Sequence, residues 1–182
     1  MSCWIRLVAF VVALLLVTPA YSDELKHGEL GAALYSNVIA NDHSDYSDDE
    51  LSGIAIYGTS VFSRNAALRT LFAMLSHNDV SGLDSNIFEL SLIFGGGLGQ
   101  TGWKGYAGPG FFSDRWSTSG FSKSFSGLHL IAGFGYNWDD VALDAWWTFR
   151  DASDYEDFVE GSSGESVSMS AVSFGLGLSA RF

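Results

Sequence analysis

Beyond residue 22 the chain contains no cysteine, since its single cysteine is Cys3. A protein that leaves the cytosol in this form holds its fold without disulfides. Basic residues are scarce as well, with 9 Lys and Arg against 21 Asp and Glu. That shortage excludes a surface built to neutralise a nucleic-acid backbone. Charge of either sign is only 16% of the chain, whereas aromatics reach 15%. This is thin polar cover for a water-soluble domain of such a size. After the N-terminus no segment approaches the roughly 18 consecutive apolar residues of a membrane-spanning helix.

The one long apolar run opens the chain. MSCWIRL is followed by LVAFVVALLLV and then TPAYS, with Ala20 and Ser22 at the −3 and −1 positions of a cut before Asp23. Residues 1–22 therefore read as a secretory signal peptide, too short and wrongly flanked to remain as an anchor. Residues 23–182 form the mature domain. It keeps every acid and loses one base, Arg6.

The dominant period along that domain is two, the signature of strands. In the last segment Val172, Phe174, Leu176, Leu178, Ala180 and Phe182 alternate with Ser173, Gly175, Gly177, Ser179 and Arg181. The same alternation runs through GLHLIAGFGYNW (127–138), VALDAWWTFR (141–150) and NIFELSLIFGG (86–96). Four further segments, 28–40, 51–63, 66–77 and 101–112, complete eight strands, with Pro109 marking a bend or bulge in the last. Eight strands of about ten residues match the smallest membrane-spanning barrel.

The connections support that count, because long and short ones alternate along the chain. SRN, GQ and the Asp139–Asp140 turn are short, whereas NDHSDYSDDE, SDRWSTSGFSKSFS and DASDYEDFVEGSSGE are long. The two long segments 42–50 and 151–165 hold 11 of the 21 acids. The stretch GLGQTG (97–102) fits the G-x-G-x-x-G pattern of dinucleotide binding, which requires a helix next. WKGYAGPG follows instead, so these glycines belong to a turn between strands.

The fold class expected is all-β: an eight-stranded antiparallel up-and-down transmembrane β-barrel. Its bulky face meets lipid, because the other face is mostly small residues too sparsely charged for a solvated exterior. Strand parity then places Glu29, Arg69, Glu89, Lys104, Asp144, Arg150 and Arg181 in the lumen together with His129. Three acids against four bases approach the balance that an enclosed ionic network requires. Eight strands leave an interior filled by side chains, which argues against a general porin.

Over the whole mature chain the sequence resembles the small outer-membrane β-barrel families of Gram-negative bacteria, the OmpA/OmpX and opacity-type group. The resemblance rests on the signal peptide, the alternating strands and loops, and the final strand closing on Phe182. It implies that Phe174, Leu176, Leu178 and Phe182 form a signal read by the barrel-assembly machinery, with Ala180 departing from the usual bulky residue. It implies location in the outer membrane, beside lipopolysaccharide, and leaves activity open.

Catalytic chemistry is weakly represented. The lipid A deacylase type uses a His-x-Ser pair, and none of His27, His43, His77 or His129 begins one. His129 with a serine from a neighbouring strand, and His77 before Asp79, are the remaining combinations. The expectation is a non-enzymatic barrel without cofactor, acting in envelope structure or in surface contact with an extracellular partner. The aromatic segment FFSDRWSTSGFSKSF is the expected contact surface. Asp45, Asp48, Asp49, Asp154, Asp157 and Glu160, around a repeated Ser-Asp-Tyr, are candidates for divalent cations bridging to lipopolysaccharide phosphates. The rival readings are a lipid A-modifying enzyme, a narrow conduit for small hydrophobic solutes, and a soluble periplasmic lipocalin-like binder.

Overall fold

The structure is a computed structural model and describes residues 25–41, 48–80, 82–163 and 168–182. The signal-peptide reading of 1–22 and the position of Asp45 lie outside the described residues. The eight strands are β1 (Gly28–Asn41), β2 (Asp49–Ser63), β3 (Ala66–His77), β4 (Asp84–Gly96), β5 (Gly102–Thr118), β6 (Phe121–Asn137), β7 (Val141–Arg150) and β8 (Met169–Arg181). Each pairs antiparallel with the next, and β8 returns to β1 with Glu29 opposite Arg181, so the sheet closes into an up-and-down barrel. Closure removes every sheet edge along the common height of the wall.

Orientation follows the alternation. Leu30, Leu34, Ile54, Ile56, Leu128, Leu130 and Leu178 each expose more than half of their surface. A continuous apolar wall of this kind is far larger than the patches that soluble monomers tolerate. The belt also ends at a defined level. Leu34, Ile54, Met74, Phe111 and Leu128 give way, at the next outward position toward the far end, to Ser36, Ser52, Ser76, Ser113 and Ser126. Ser36 pairs with Ser52, Ser52 with Ser76, and Ser113 with Ser126, so the switch forms a partial ring. Trp103, Tyr136 and Trp138 border the belt at the opposite end, beside the termini, with Trp103 edge-on to Tyr136.

Two connections differ from the expectation. Residues 113–126 are not a loop, because β5 and β6 continue through them and meet at Ser119–Gly120. Ser and aromatic residues alternate there with period two, and the ladder is regular from Trp103–Tyr136 to Thr118–Phe121. The excursion beyond the belt is long, but it is a hairpin. Within the last long connection Ser153–Ser163 forms a helix, α1, with Asp154 and Glu156 in its first turn, where negative charge suits the helix dipole.

That helix answers a defect in the wall. β7 is 10 residues long beside a β6 of 17, and their pairing starts only at His129–Arg150. Beyond this point β6 has no strand on that side among the described residues. The Asp151 amide donates to the Leu128 carbonyl, and the Asp154 carboxylate accepts the Ser126 amide at 2.8 Å. α1 thereby covers the exposed ladder of β6.

Candidate functional site: the filled lumen and its two closures

All eight residues assigned to the lumen by parity are buried: Glu29, Arg69, Glu89, Lys104, His129, Asp144, Arg150 and Arg181. They fall into two ionic groups. Toward the termini, Lys104 Nζ lies 2.9 Å from Glu29 Oε2 and 2.9 Å from Asp144 Oδ2. Arg181 Nε approaches Glu29 at 3.7 Å, and Arg69 Nη1 approaches Asp144 at 3.9 Å. Toward the far end, Arg150 Nη2 donates to Glu89 at 2.6 Å and to the Tyr35 hydroxyl at 3.1 Å, while Tyr35 donates to Glu89 at 2.8 Å.

One member of the network escapes sequence reasoning. Asp114, assigned to a loop, is fully buried on the inner face of β5. It accepts from Ser85 at 2.5 Å, Trp116 Nε1 at 3.0 Å and the Tyr155 hydroxyl at 2.9 Å, with Arg150 4.0 Å away. Period two continued through SDRWS was the available signal. With Asp114 included, four buried acids face four buried bases in the lumen, which is what enclosure of charge demands.

The lumen is not lined only by small residues, as the alternation suggests. Between the two ionic groups lie the rings of Tyr57, Tyr106 and Trp146, all buried. The Arg69 guanidinium lies against both Tyr57 and Trp146, 4.3 Å and 4.0 Å from their ring centroids, while the two rings meet edge-on. Glycines and alanines supply the room that these rings fill.

Both ends are closed. Next to the termini, the GLGQTG turn folds inward: Leu98 joins the core, and Gln100 is buried. Gly97 and Gly99 have φ of 74° and 73°, the left-handed region that glycine occupies without strain. The Asn137 amide donates to the carbonyls of Gly97 at 3.1 Å and Gln100 at 2.8 Å, which fixes the turn as a plug. At the far end Phe112, Phe125, Tyr155, Ile39 and Ala171 form a second apolar core. Tyr155 stacks on Phe125 at 4.3 Å. Its phenol is pushed above the ordinary tyrosine value, first by burial and then by the Asp114 charge. The aromatic segment expected to touch a partner therefore turns Phe112 and Phe125 inward under α1, leaving Phe111 and Phe121 exposed.

His129 and His77 are each engaged by neighbouring groups. His129 Nε2 and Ser91 Oγ are 2.8 Å apart, across Gly110 of the intervening β5. A Cβ at Gly110 would collide with the His129 ring, so this contact passes over a glycine window. The pair is enclosed, with His129 3% and Ser91 2% exposed. His77 Nδ1 accepts the amides of Asp79 and Val80 at 3.1 and 3.0 Å, so Nε2 carries the proton and donates to Asp49 at 3.1 Å. This shapes the 78–83 connection.

The acids proposed as cation ligands are spread over different elements. Asp49 engages His77, Asp154 engages β6, and Asp157 and Glu160 lie further along α1. Among the described residues no group of three or more His, Cys, Asp or Glu is placed to hold a metal ion.

No family model matches the sequence. No curated protein matches it either. Solved structures do. Neisserial surface protein A superposes with a TM-score of 0.62 at 14% identity, covering 88% of this chain and 100% of that one. The N-terminal barrel domain of Pseudomonas aeruginosa OprF gives 0.52 at 14%, covering 87% and 100%. Ail, the attachment invasion locus protein of Yersinia pestis, gives 0.50 at 17%, also covering 87% and 100%. At such identities the likeness is one of fold, and by fold this chain is a small eight-stranded β-barrel of the outer-membrane type.

Proposed function

We propose that the protein is exported by residues 1–22 and assembled into the outer membrane of a Gram-negative bacterium, where it acts as a closed, non-enzymatic barrel. The observation that carries this reading is the filled lumen: paired charges, a ring septum around Arg69, and a plug at each end. A packed interior gives the barrel a rigid wall and leaves contact with the surroundings to its outer surface. The far end bears the acidic connections, and its described bases outside the lumen are Arg115 and Lys123. It faces outward in this reading, beside lipopolysaccharide, with an unidentified extracellular partner. Ail, by its name, is an attachment and invasion protein and NspA a surface protein, which is the class of role proposed here.

In the same reading the outward residues Phe174, Leu176, Leu178 and Phe182 of the last strand are what the assembly machinery engages. Membrane fractionation with a heat-dependent gel shift tests location and fold together. A monomer well behaved in plain buffer without amphiphile would overturn the orientation. Planar-bilayer recording tests closure, with no sustained single-channel conductance expected. Unchanged lipid A mass spectra on deletion of the gene are expected, and an altered acylation pattern would favour the enzyme reading.

A further inference from the structure

The outer wall is not uniform. A furrow of about 540 Å³ runs along β6 and β7 in the half of the belt nearest the termini. Its floor is Ala145, whose register partners are Phe134 on β6 and Leu176 on β8, so one methyl group sits between two large side chains. Tyr136 and Leu143 continue its flanks. Toward the far end it is bounded where Trp147 packs on Phe134 and Phe174, with ring centroids 6.0 and 5.3 Å apart. The furrow is therefore a hollow that ends partway across the belt.

At its other end the strands β6 and β7 join through Asp139 and Asp140, directly along the furrow axis. Asp140 is met by Lys26 at 3.3 Å, and its side chain is 83% exposed. Asp139 accepts a hydroxyl hydrogen bond from Thr101 at 3.2 Å, and among the described residues it has no ion-pair partner. Trp138 stands between these carboxylates and the furrow.

We propose that this furrow is a binding site for one phospholipid of the inner leaflet, with an acyl chain over Ala145 and a cationic amine headgroup at Asp139. The inference rests on the membrane orientation given above. Within a bilayer the furrow is covered by acyl chains or by a second copy of the protein. A two-fold-related copy seated on the same face would bring the Asp139–Asp140 turns toward each other, like charge against like. An anionic headgroup such as phosphatidylglycerol meets the same repulsion. The ammonium of phosphatidylethanolamine meets the Asp139 carboxylate, which among the described residues has no ion pair within 4 Å, at the aqueous rim of the belt, where screening limits the attraction to a modest preference.

The test uses the full mature chain, refolded with an equimolar mixture of phosphatidylethanolamine and phosphatidylglycerol, then examined by native mass spectrometry. One retained phosphatidylethanolamine is expected, several-fold over phosphatidylglycerol. Asp139→Asn should erase the headgroup preference while retaining lipid, and Ala145→Leu, which fills the floor, should reduce retention of both. No retained lipid, equal retention of the two headgroups, or a lipid-free dimer would overturn the proposal; the wild-type result alone decides this if a variant fails to fold. Heat-modified gel mobility is recorded on every sample. Its loss in the wild-type protein would instead count against the membrane barrel itself.

Discussion

Lys104 is the perturbation on which the ionic account of the lumen is most exposed. Its ammonium sits 2.9 Å from both Glu29 and Asp144, and its side chain is 3% exposed. Lys104→Met keeps the length of the side chain and removes the charge, leaving two enclosed carboxylates. Their remaining cations are Arg181 at 3.7 Å and Arg69 at 3.9 Å, neither in contact geometry. Breaking a buried pair from one side costs about 3–5 kcal/mol, mostly through the stranded charge. The two arginines place the expected loss near the lower bound, about 3 kcal/mol. With a urea dependence of about 1–3 kcal/mol per molar, the unfolding midpoint should fall by about 1–3 M. The assay is urea titration of the barrel refolded into vesicles, followed by tryptophan fluorescence. The double variant Lys104→Met, Glu29→Gln removes one charge of each sign, leaves Asp144 beside Arg69 and Arg181 on the Trp138 carbonyl, and should recover part of the loss. A single variant within about 0.5 kcal/mol of the parent would be inside ordinary surface variation and would refute the network as described. A double variant no more stable than the single one would refute it equally.

Four further outcomes are expected. Leu90→Arg, on the lipid face of β4, should destabilise the inserted barrel by about 2–4 kcal/mol; a neutral result would mean that the wall faces water. Gly110→Ala drives a Cβ into the His129 ring and within 2.5 Å of the Leu90 carbonyl, so about 1–3 kcal/mol of stability should be lost by urea titration. Tyr155→Phe removes the bond to Asp114 and should weaken α1 docking by about 1.5–3 kcal/mol, read as faster hydrogen exchange over 153–163. Because burial and Asp114 raise the Tyr155 phenol, its docking contribution is complete below the ordinary value of about 10 and is lost as pH climbs through the raised one; Tyr155→Phe should remove that alkaline step. Because Asp49, Asp154, Asp157 and Glu160 are spread over different elements, calcium titration of the folded protein should give no saturable change; a saturable change that weakens on replacing Asp48, Asp49, Asp154, Asp157 and Glu160 by their amides would restore cation bridging.

Strand number, closure and orientation were legible from the chain because side-chain direction in a strand has a period of two. Bulk on one parity and small or ionic residues on the other decide which face turns to the axis, as Leu130 and His129 show. The same parity put Glu29, Lys104 and Asp144 on one interior before any contact was known. Asp114 was hidden because Ser and Asp in SDRWS carry turn composition, and composition outweighs parity in a short window. α1 was hidden for a related reason: DASDYEDFVEGSSGE is polar and acidic, and its helical face is defined by Tyr155 and Phe158 meeting a hairpin distant in sequence.

What tertiary structure alone decided is pairing across the lumen and closure of its ends. Alternation places a charge inside but does not say which opposite charge it meets, since partners such as Lys104 and Glu29 stand 75 residues apart. Nor does it say that a shortened β7 leaves part of β6 uncovered, or that an acidic connection covers it. Local sequence determines the period of a strand, and so its faces. Closing the sheet brings those faces to a common axis, and only that three-dimensional meeting sets the ion pairs, the ring septum and the plugs.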